Sequence, residues 1–433
     1  MPVRLDTRSA DFAAAFDSLL AMKREVSEDV DRAVQKIIAD VIARGDAALV
    51  DYSKKFDRVD LEEKGLQVSA AEVDAAFSRC QPDVLNALRL AHERIIAFHE
   101  RQLPHDLRYT DSEGVELGWR WFPVESAGLY VPGGTAAYPS SVLMNAVPAK
   151  VAGVSRLVMA VPAPGGEINP YVLAAAKIAG IDEIYRVGGA QAIAALAFGT
   201  KAIAPVTKIV GPGNAYVAAA KRRVFGVAGI DMIAGPSEVL IIADASANPG
   251  WIAADLLAQA EHDAAAQSIL ITDDASLADA AAEAVARQLL ELPRKEIAAA
   301  SWRDFGAIIL ADRLEESIAL AGKIAPEHLE IMMENAEELA AKIRNAGAVF
   351  IGAYTPEAIG DYVGGTNHVL PTARSARFSS GLSVLDFMKR TSILKCRAGA
   401  LRKLGPAAIA LGRAEGLDAH ANSVALRMTQ KES

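Results

Sequence analysis

The sequence predicts an α/β fold with two parallel-sheet layers and a small, mostly helical C-terminal segment. Three observations carry this. Short apolar runs recur from about residue 156 onward, as in "RLVMAVPAP", "EIYRVGG", "TKIVGPG", "EVLIIAD", "SILIT", "AIILA" and "AVFIG". Most are followed by turn residues and an Ala-rich helical stretch, the alternation that builds parallel sheets covered by helices. The pattern stops after Phe378, and the remaining segment is too short to form its own core.

In chain order, residues 28–44 place Val30, Val34, Ile37, Ile38, Val41 and Ile42 at helical spacing, and Gly45 ends the run. Residues 71–99 are expected as one long helix carrying Phe77, Val84, Leu88 and Leu90. "GVELGWRWFPVESAGLYVP" alternates like strands and breaks at Pro132-Gly133-Gly134. The βα region follows, too large for one sheet and so divided between two. The tail has a helical segment around 400–412 and is expected to rest on a surface of its own chain or of a partner.

Composition narrows the function classes. The 433 residues are 52% hydrophobic, enough for a large core and more than one domain. A net charge of −9 argues against a nucleic-acid partner. No apolar run reaches the roughly 18–20 residues of a membrane span, and "MPVRLDTRSADFAAAF" lacks a signal-peptide core. Two distant cysteines, Cys80 and Cys396, suit a reduced compartment better than a structural disulfide. A soluble cytoplasmic protein is expected.

Polar residues cluster in four stretches. In "AQAEHD", read as the end of a helix over 250–265, Gln259 falls on the side of Ile252 and Leu256, and His262 lies one turn on. Glu261 points away and Asp263 lies between. On spacing alone, a surface helix with a capped or hydrogen-bonded histidine is the commoner reading. In "IAPEHLEIM", Pro326 suits a first helical position, which would put Glu327 and His328 in a first turn. There the helix dipole would favour ionised Glu327 and neutral His328, two proton acceptors. An ordinary acidic first turn reads the same way. In "IGDYVGGTNHVLPT", Asp361 and His368 flank a Gly-Gly turn, which can also be a plain loop. In "AEGLDAHANS", Glu415 and His420 lie in the coreless tail, as solvated residues or as groups delivered to a partner. Of seven histidines, the remaining His92, His99 and His105 are expected to be structural or exposed.

Two imidazoles, a carboxylate and an amide oxygen from Gln259, His262, Asp361 and His420 would suit Zn²⁺. Glutamine is an uncommon zinc ligand, however, and neither HExxH nor CxxC occurs. Three stretches, 129–141, 186–199 and 209–226, place glycine at a strand end before a helix, a geometry that offers N–H groups to a pyrophosphate. Gly211 and Gly213 begin a G-x-G-x-x-G, but Tyr216 takes the last position.

Over nearly its whole length the chain resembles the histidinol dehydrogenase family. The resemblance rests on "AGLYVPGGTAAYPSSVLMNAVPA", "VGGAQAIAALA", "KIVGPGNAYVAAAK", "DMIAGPSEVL", "AQAEHD", "APEHLE", "GDYVGGTNHVLPT" and "EGLDAHANS". It implies oxidation of L-histidinol to L-histidine through the aldehyde with two NAD⁺, as the last step of histidine biosynthesis. It also implies one Zn²⁺ per site, held by Gln259, His262, Asp361 and His420. Ser237, Gln259, His262, His328, Asp361, Glu415 and His420 would surround the substrate, and Tyr130, Gln191 and Asn214 would contact NAD⁺. Glu327 and His328 would transfer protons. The implied fold is aldehyde-dehydrogenase-like, with incomplete Rossmann-like parallel sheets. It comprises an N-terminal arm over 1–24, an α/β domain over 25–127 and 238–377 bearing most metal and catalytic residues, and an α/β domain over 128–237 with the NAD loops. Residues 378–433 would form a dimerisation segment completing the site of the other subunit in a homodimer.

The alternative within the fold is an NAD-dependent aldehyde or alcohol dehydrogenase acting on another amino alcohol. A cysteine-nucleophile aldehyde dehydrogenase finds no support around Cys80 or Cys396. A zinc hydrolase using Glu327 to activate water would turn over without NAD⁺. A non-catalytic metal-binding protein would have no reason to keep every residue of the family's site.

Overall fold

A computed structural model describes residues 2–22, 28–133, 137–181, 183–233 and 235–429. Gly134, at the expected break, and residues 23–24 of the expected N-terminal arm lie outside the described residues. Two compact units arise, one from Met1–Gln102 with Glu125–Phe387, the other from Leu103–Val124 with Met388–Ser433.

Strand β1 (Val3–Asp6) opens the chain, and a long helical stretch separates it from β2 (Leu107–Thr110) and β3 (Glu116–Pro123). Next come β4 (Ser126–Tyr130), β5 (Arg156–Val161), β6 (Glu183–Arg186), β7 (Lys208–Val210) and β8 (Gly229–Ile230). The last group is β9 (Glu238–Ala243), β10 (Gln267–Thr272), β11 (Ala307–Leu310), β12 (His328–Met332), β13 (Ala348–Ile351) and β14 (Met388–Lys395).

The larger unit holds two sheets. One has five strands in the order β6-β5-β4-β7-β8, the other six in the order β1-β11-β10-β9-β12-β13, and every pairing in both is parallel. The central strands are buried along most of their length, β9 and β10 throughout, because helices cover both faces and leave no polar side. On the six-stranded sheet, helices Pro249–Ala260, Ala275–Leu289 and Lys295–Asp304 share a core with Ile241 and Leu270 on one face. Phe16, Leu19, Leu320, Ile324 and Leu339 pack with Leu240, Ile271 and Ile331 on the other. All seven apolar runs named above form strands.

Three expectations are corrected. Residues 71–99 form two helices, Ala70–Ser78 and Pro82–His99. Pro82 has no N–H to continue the first helix and starts the second, while Ser69 and Glu72 close a capping box at the start of the first. Glu327 and His328 are not in a first helical turn. The preceding helix, Glu316–Ile324, stops at Ala325, whose left-handed φ of 48° ends it, and His328 begins the buried strand β12 between β9 and β13. The dipole argument for their ionisation therefore falls. Third, the helix over 250–265 ends at Ala260, so His262 lies beyond it.

Residues 25–127 are expected beside 238–377. Of the described helices there, Glu28–Arg44 instead contributes Val34, Ile37, Ile38 and Val41 to the core of the five-stranded sheet, with Ala48 and Leu49 of the next helix. The helix Pro82–His99 packs on Pro139–Ala152, and Arg94 donates hydrogen bonds to the carbonyls of Val363 and Gly364 at 2.5 and 3.0 Å.

The smaller unit is an antiparallel sheet, β14-β3-β2, with two helices, Ala398–Ala414 and Asp418–Met428, packed on each other. The tail finds its first partner in its own chain, since β14 pairs with β3 from Met388↔Pro123 to Lys395↔Glu116. Arg390 lies over the rings of Trp119 and Trp121 at 5.7 and 5.8 Å.

Ile241 is fully buried in the centre of the six-stranded sheet. Ile241→Ala should cost about 2–5 kcal/mol through lost burial and the cavity it leaves. Urea unfolding checks this, and a loss below about 1 kcal/mol would contradict this packing.

Candidate active site

The parallel pairing of β9 with β12 places two chain segments side by side at the amino edge of the six-stranded sheet. Their register sets His328 opposite Val239, so Glu238 lies beside the Glu327–His328 pair. The Glu238 N–H donates to Glu327 Oε2 at 2.9 Å. The Glu238 carbonyl lies 3.0 Å from His328 Nδ1, which therefore carries a proton and leaves Nε2 turned the other way. Nε2 faces Asp361 Oδ1 at 3.4 Å. One main-chain unit thus orients both the carboxylate and the imidazole.

Asp361 comes from the short helix Glu357–Tyr362, where Glu357 lies one turn earlier on the same face. Glu357 Oε2 approaches His328 Nδ1 at 3.8 Å, and the Glu357 N–H donates to Glu330 Oε1 at 2.7 Å. His368 braces the same segment. Its Nδ1 lies 3.0 Å from the Asp361 carbonyl and its Nε2 lies 3.2 Å from Ser141 Oγ. That serine belongs to the helix Pro139–Ala152. Phe350 packs against the His328 ring at 5.9 Å.

Gln259 is on the last turn of Pro249–Ala260, which Asn248 caps at its other end. The helix runs back from the carboxyl end of β9, so Gln259 returns to the amino edge of the sheet. Its side chain is buried, as the periodicity predicts. The His262 N–H donates to the Gln259 carbonyl at 3.2 Å, and the residue as a whole is exposed. Glu261 is half-buried, whereas Asp263 is exposed and accepts from the Ala265 N–H at 2.8 Å. Ser237 directly precedes β9, and its carbonyl accepts from the Gln267 N–H at 3.0 Å.

Electrostatics at this edge are unusual. Glu238, Glu327, Glu330 and Glu357 are all buried. Burial pushes Glu327 up to about 7 and Glu357 up to about 8. Burial and the neighbouring Asp255 raise Glu330 well above the carboxylate range, and burial lifts Asp255 to about 6. Burial opposes charge on His328, yet Glu327, Glu357 and Asp361 overcome it and raise the imidazole well above its ordinary value. Burial would likewise raise Asp361, but His328 holds it below. Desolvation lowers His262 and His368.

Such a concentration of buried acids calls for positive charge. Gln259 Oε1 and Asp361 Oδ1 are buried acceptors with no hydrogen-bond partner in the described chain, and His328 Nε2 is similarly placed. Together with the nearby His262, this donor set fits a divalent cation. Among the described residues no three His, Cys, Asp or Glu side chains gather as a metal site. The expected set draws only His262 and Asp361 of those types from this unit. Glu415 and His420 are exposed residues of the smaller unit. Glu415 follows the helix Ala398–Ala414 and His420 lies in the first turn of Asp418–Met428.

The five-stranded sheet offers a second feature, at its opposite, carboxyl edge. Its order reverses between β4 and β7, the position where open α/β sheets leave a crevice for nucleotides. Tyr130 ends β4 and Gly211 follows β7. The Tyr130 hydroxyl accepts from the Gly189 N–H at 3.0 Å, and burial pushes its pKa up to about 12. Gln191 is buried in the helix Gly189–Phe198. Asn214 caps Ala215–Val224 through the N–H groups of Tyr216 and Val217 at 3.1 and 3.2 Å.

Sequence reasoning had not singled out Glu238, Glu330 or Glu357. Glu357 and Asp361 at i and i+4 were a usable signal. Glu238 acts mainly through its backbone, which side-chain patterns do not reveal.

The chain matches the family model described as Histidinol dehydrogenase over residues 20–428. It is 67% identical over 431 residues to histidinol dehydrogenase of Rhodopseudomonas palustris, covering 100% of both chains. It is 69% identical over 428 residues to that of Bradyrhizobium diazoefficiens, covering 99% of each. The crystal structure of histidinol dehydrogenase from Elizabethkingia anophelis has a TM-score of 0.94 at 38% identity, covering 99% of this chain and 98% of that one. The sheet architecture and the residues assembled at the amino edge thus occur in a chain that belongs to the histidinol dehydrogenase family.

Proposed function

We propose that this oxidoreductase converts L-histidinol to L-histidine in two steps through the aldehyde, using two NAD⁺ and one Zn²⁺ per site. The observation that carries the reading is the amino-edge cluster, where His328 and Glu327 are oriented by Glu238 beside Gln259 Oε1 and Asp361 Oδ1, two buried acceptors that receive no hydrogen bond. The substrate's ammonium and imidazole suit a pocket walled by buried carboxylates and a cation. Bound Zn²⁺, held by Gln259, His262, Asp361 and by His420 of a second subunit, would supply fixed orientation of the substrate. Bound NAD⁺, contacted by Tyr130, Gln191 and Asn214, would supply the hydride acceptor. Ser237 and Glu415 complete the substrate contacts in this reading, together with Gln259, His262, His328, Asp361 and His420.

The chain's own residues then do the proton work. A cation bound at Asp361 would offset the carboxylate field that keeps His328 protonated; the neutral imidazole then takes the hydroxyl proton at Nε2 during alcohol oxidation, since its Nδ1 is committed to the Glu238 carbonyl. Glu327 removes a proton from water as it adds to the aldehyde. Holding the aldehyde inside the site protects it from loss between the two oxidations. The exposed helical pair of the smaller unit supports a homodimer with shared sites. No described helix is long and apolar enough to cross a membrane, and the proposed location is the cytoplasm.

Two results are expected. With L-histidinol, the protein should release two NADH per substrate consumed, lose turnover on chelation and regain it with Zn²⁺. One NADH per substrate, or turnover indifferent to chelator, would refute the reading. Glu327→Gln keeps an acceptor for the Glu238 N–H and so should fold. It should slow aldehyde oxidation by about 10²–10⁴-fold while slowing alcohol oxidation far less. Equal loss in both steps, measured separately with alcohol and aldehyde, would reject that division of roles.

A further inference from the structure

Behind the expected nucleotide loop lies a buried ion pair that the proposed chemistry does not use. Lys221 is on the helix Ala215–Val224, and Asp231 directly follows β8. Their side chains are ion-paired, with 2% and 0% of their surfaces exposed. Both hold one residue between them. Lys221 Nζ donates to the Gly211 carbonyl at 2.9 Å, and Asp231 Oδ2 accepts from the Gly211 N–H at 2.8 Å.

Gly211 cannot be placed otherwise. Its φ is +113°, and a Cβ there would lie 2.1 Å from the Tyr130 carbonyl oxygen. It therefore packs its backbone directly against the end of β4. Three residues later Asn214 caps the helix that carries Lys221. The ion pair thus fastens the first residue of the loop Gly211–Asn214, and the cap fastens the last. This loop lies at the β4/β7 reversal of the sheet. A buried ion pair is a weak source of stability, since apolar replacements of similar volume often serve as well. What this one adds is a charged partner for both the N–H and the carbonyl of a single residue, Gly211.

We propose that Lys221 and Asp231 are positioning residues for dinucleotide binding, holding the Gly211–Asn214 loop in the shape that receives NAD⁺. The inference rests on the reading of this loop as the NAD⁺ site. Neither side chain touches the dinucleotide; each acts through Gly211.

The test compares Lys221→Met, Asp231→Asn and the double variant Lys221→Met/Asp231→Leu. For each, the melting temperature, the Kd for NAD⁺ by calorimetry and the separate KM values for NAD⁺ and L-histidinol are measured. Both single variants should melt lower and bind NAD⁺ at least about tenfold more weakly, in line with loss of charge-assisted hydrogen bonds. The double variant, free of unpaired charge, should recover most of the melting temperature and keep the weakened NAD⁺ binding. The KM for L-histidinol should not follow. A role in stability alone would restore both properties together, and that result would overturn the proposal. Asp231→Asn keeps an acceptor for the Gly211 N–H and provides a folded variant should the double variant not form. Normal NAD⁺ affinity in folded Asp231→Asn would equally overturn the proposal. Asn214→Ala separates the two levels. If it weakens NAD⁺ binding while the pair variants do not, the inference alone falls. If neither it nor the pair variants change NAD⁺ binding, the loop is not the dinucleotide site.

Discussion

The pairing of β9 with β12 through Glu238 is the interaction on which the site depends. A parallel ladder has a fixed register, and here it brings the backbone of one residue against two side chains at once. The N–H of Glu238 holds Glu327, and its carbonyl holds His328. A slip by one residue would turn both side chains to the other face of the sheet. Side chains at adjacent strands with buried neighbours are held more closely than side chains on loops. Burying so many carboxylates beside one imidazole works against folding. Local disagreement with the rules of a good core is the mark of a functional site.

The two sheets use opposite edges. The five-stranded sheet presents the carboxyl ends of β4 and β7 and the helix start at Asn214, at the reversal of its strand order. The six-stranded sheet uses the amino ends of β9 and β12. The helix Pro249–Ala260 leaves β9 and returns to that edge, which is how Gln259 comes beside its starting strand. His368 links the two regions, bonding Ser141 of a helix beside the five-stranded sheet and the main chain of Asp361.

Much of the fold was legible because buried parallel strands leave short apolar runs and their crossover helices leave Ala-rich ones. The strand β12 escaped because "PEHLEIM" has a proline, an acid and a histidine where a helix start would have them, and a strand buried on both faces shows no alternation. Gln259 was readable as inward-facing from helical period alone. His262 was not placed correctly, since the helix ends at Ala260 and nothing in "AEHDAAA" fixes that end. Glu238 and the Lys221–Asp231 pair were invisible because their importance lies in contacts with backbone across strands and loops. The assignment of chemical roles came from long matching motifs rather than from spacing.

The most direct measurement is a crystal structure of the zinc-loaded protein with L-histidinol, with data collected on both sides of the zinc absorption edge. One anomalous peak is expected at the amino edge of the six-stranded sheet, touching Gln259 Oε1, His262 and Asp361 Oδ1, with His420 of a second subunit as the fourth ligand. His328 Nε2 should then face the substrate hydroxyl. A peak elsewhere, or Gln259 and Asp361 left without contact to the ion, would contradict it.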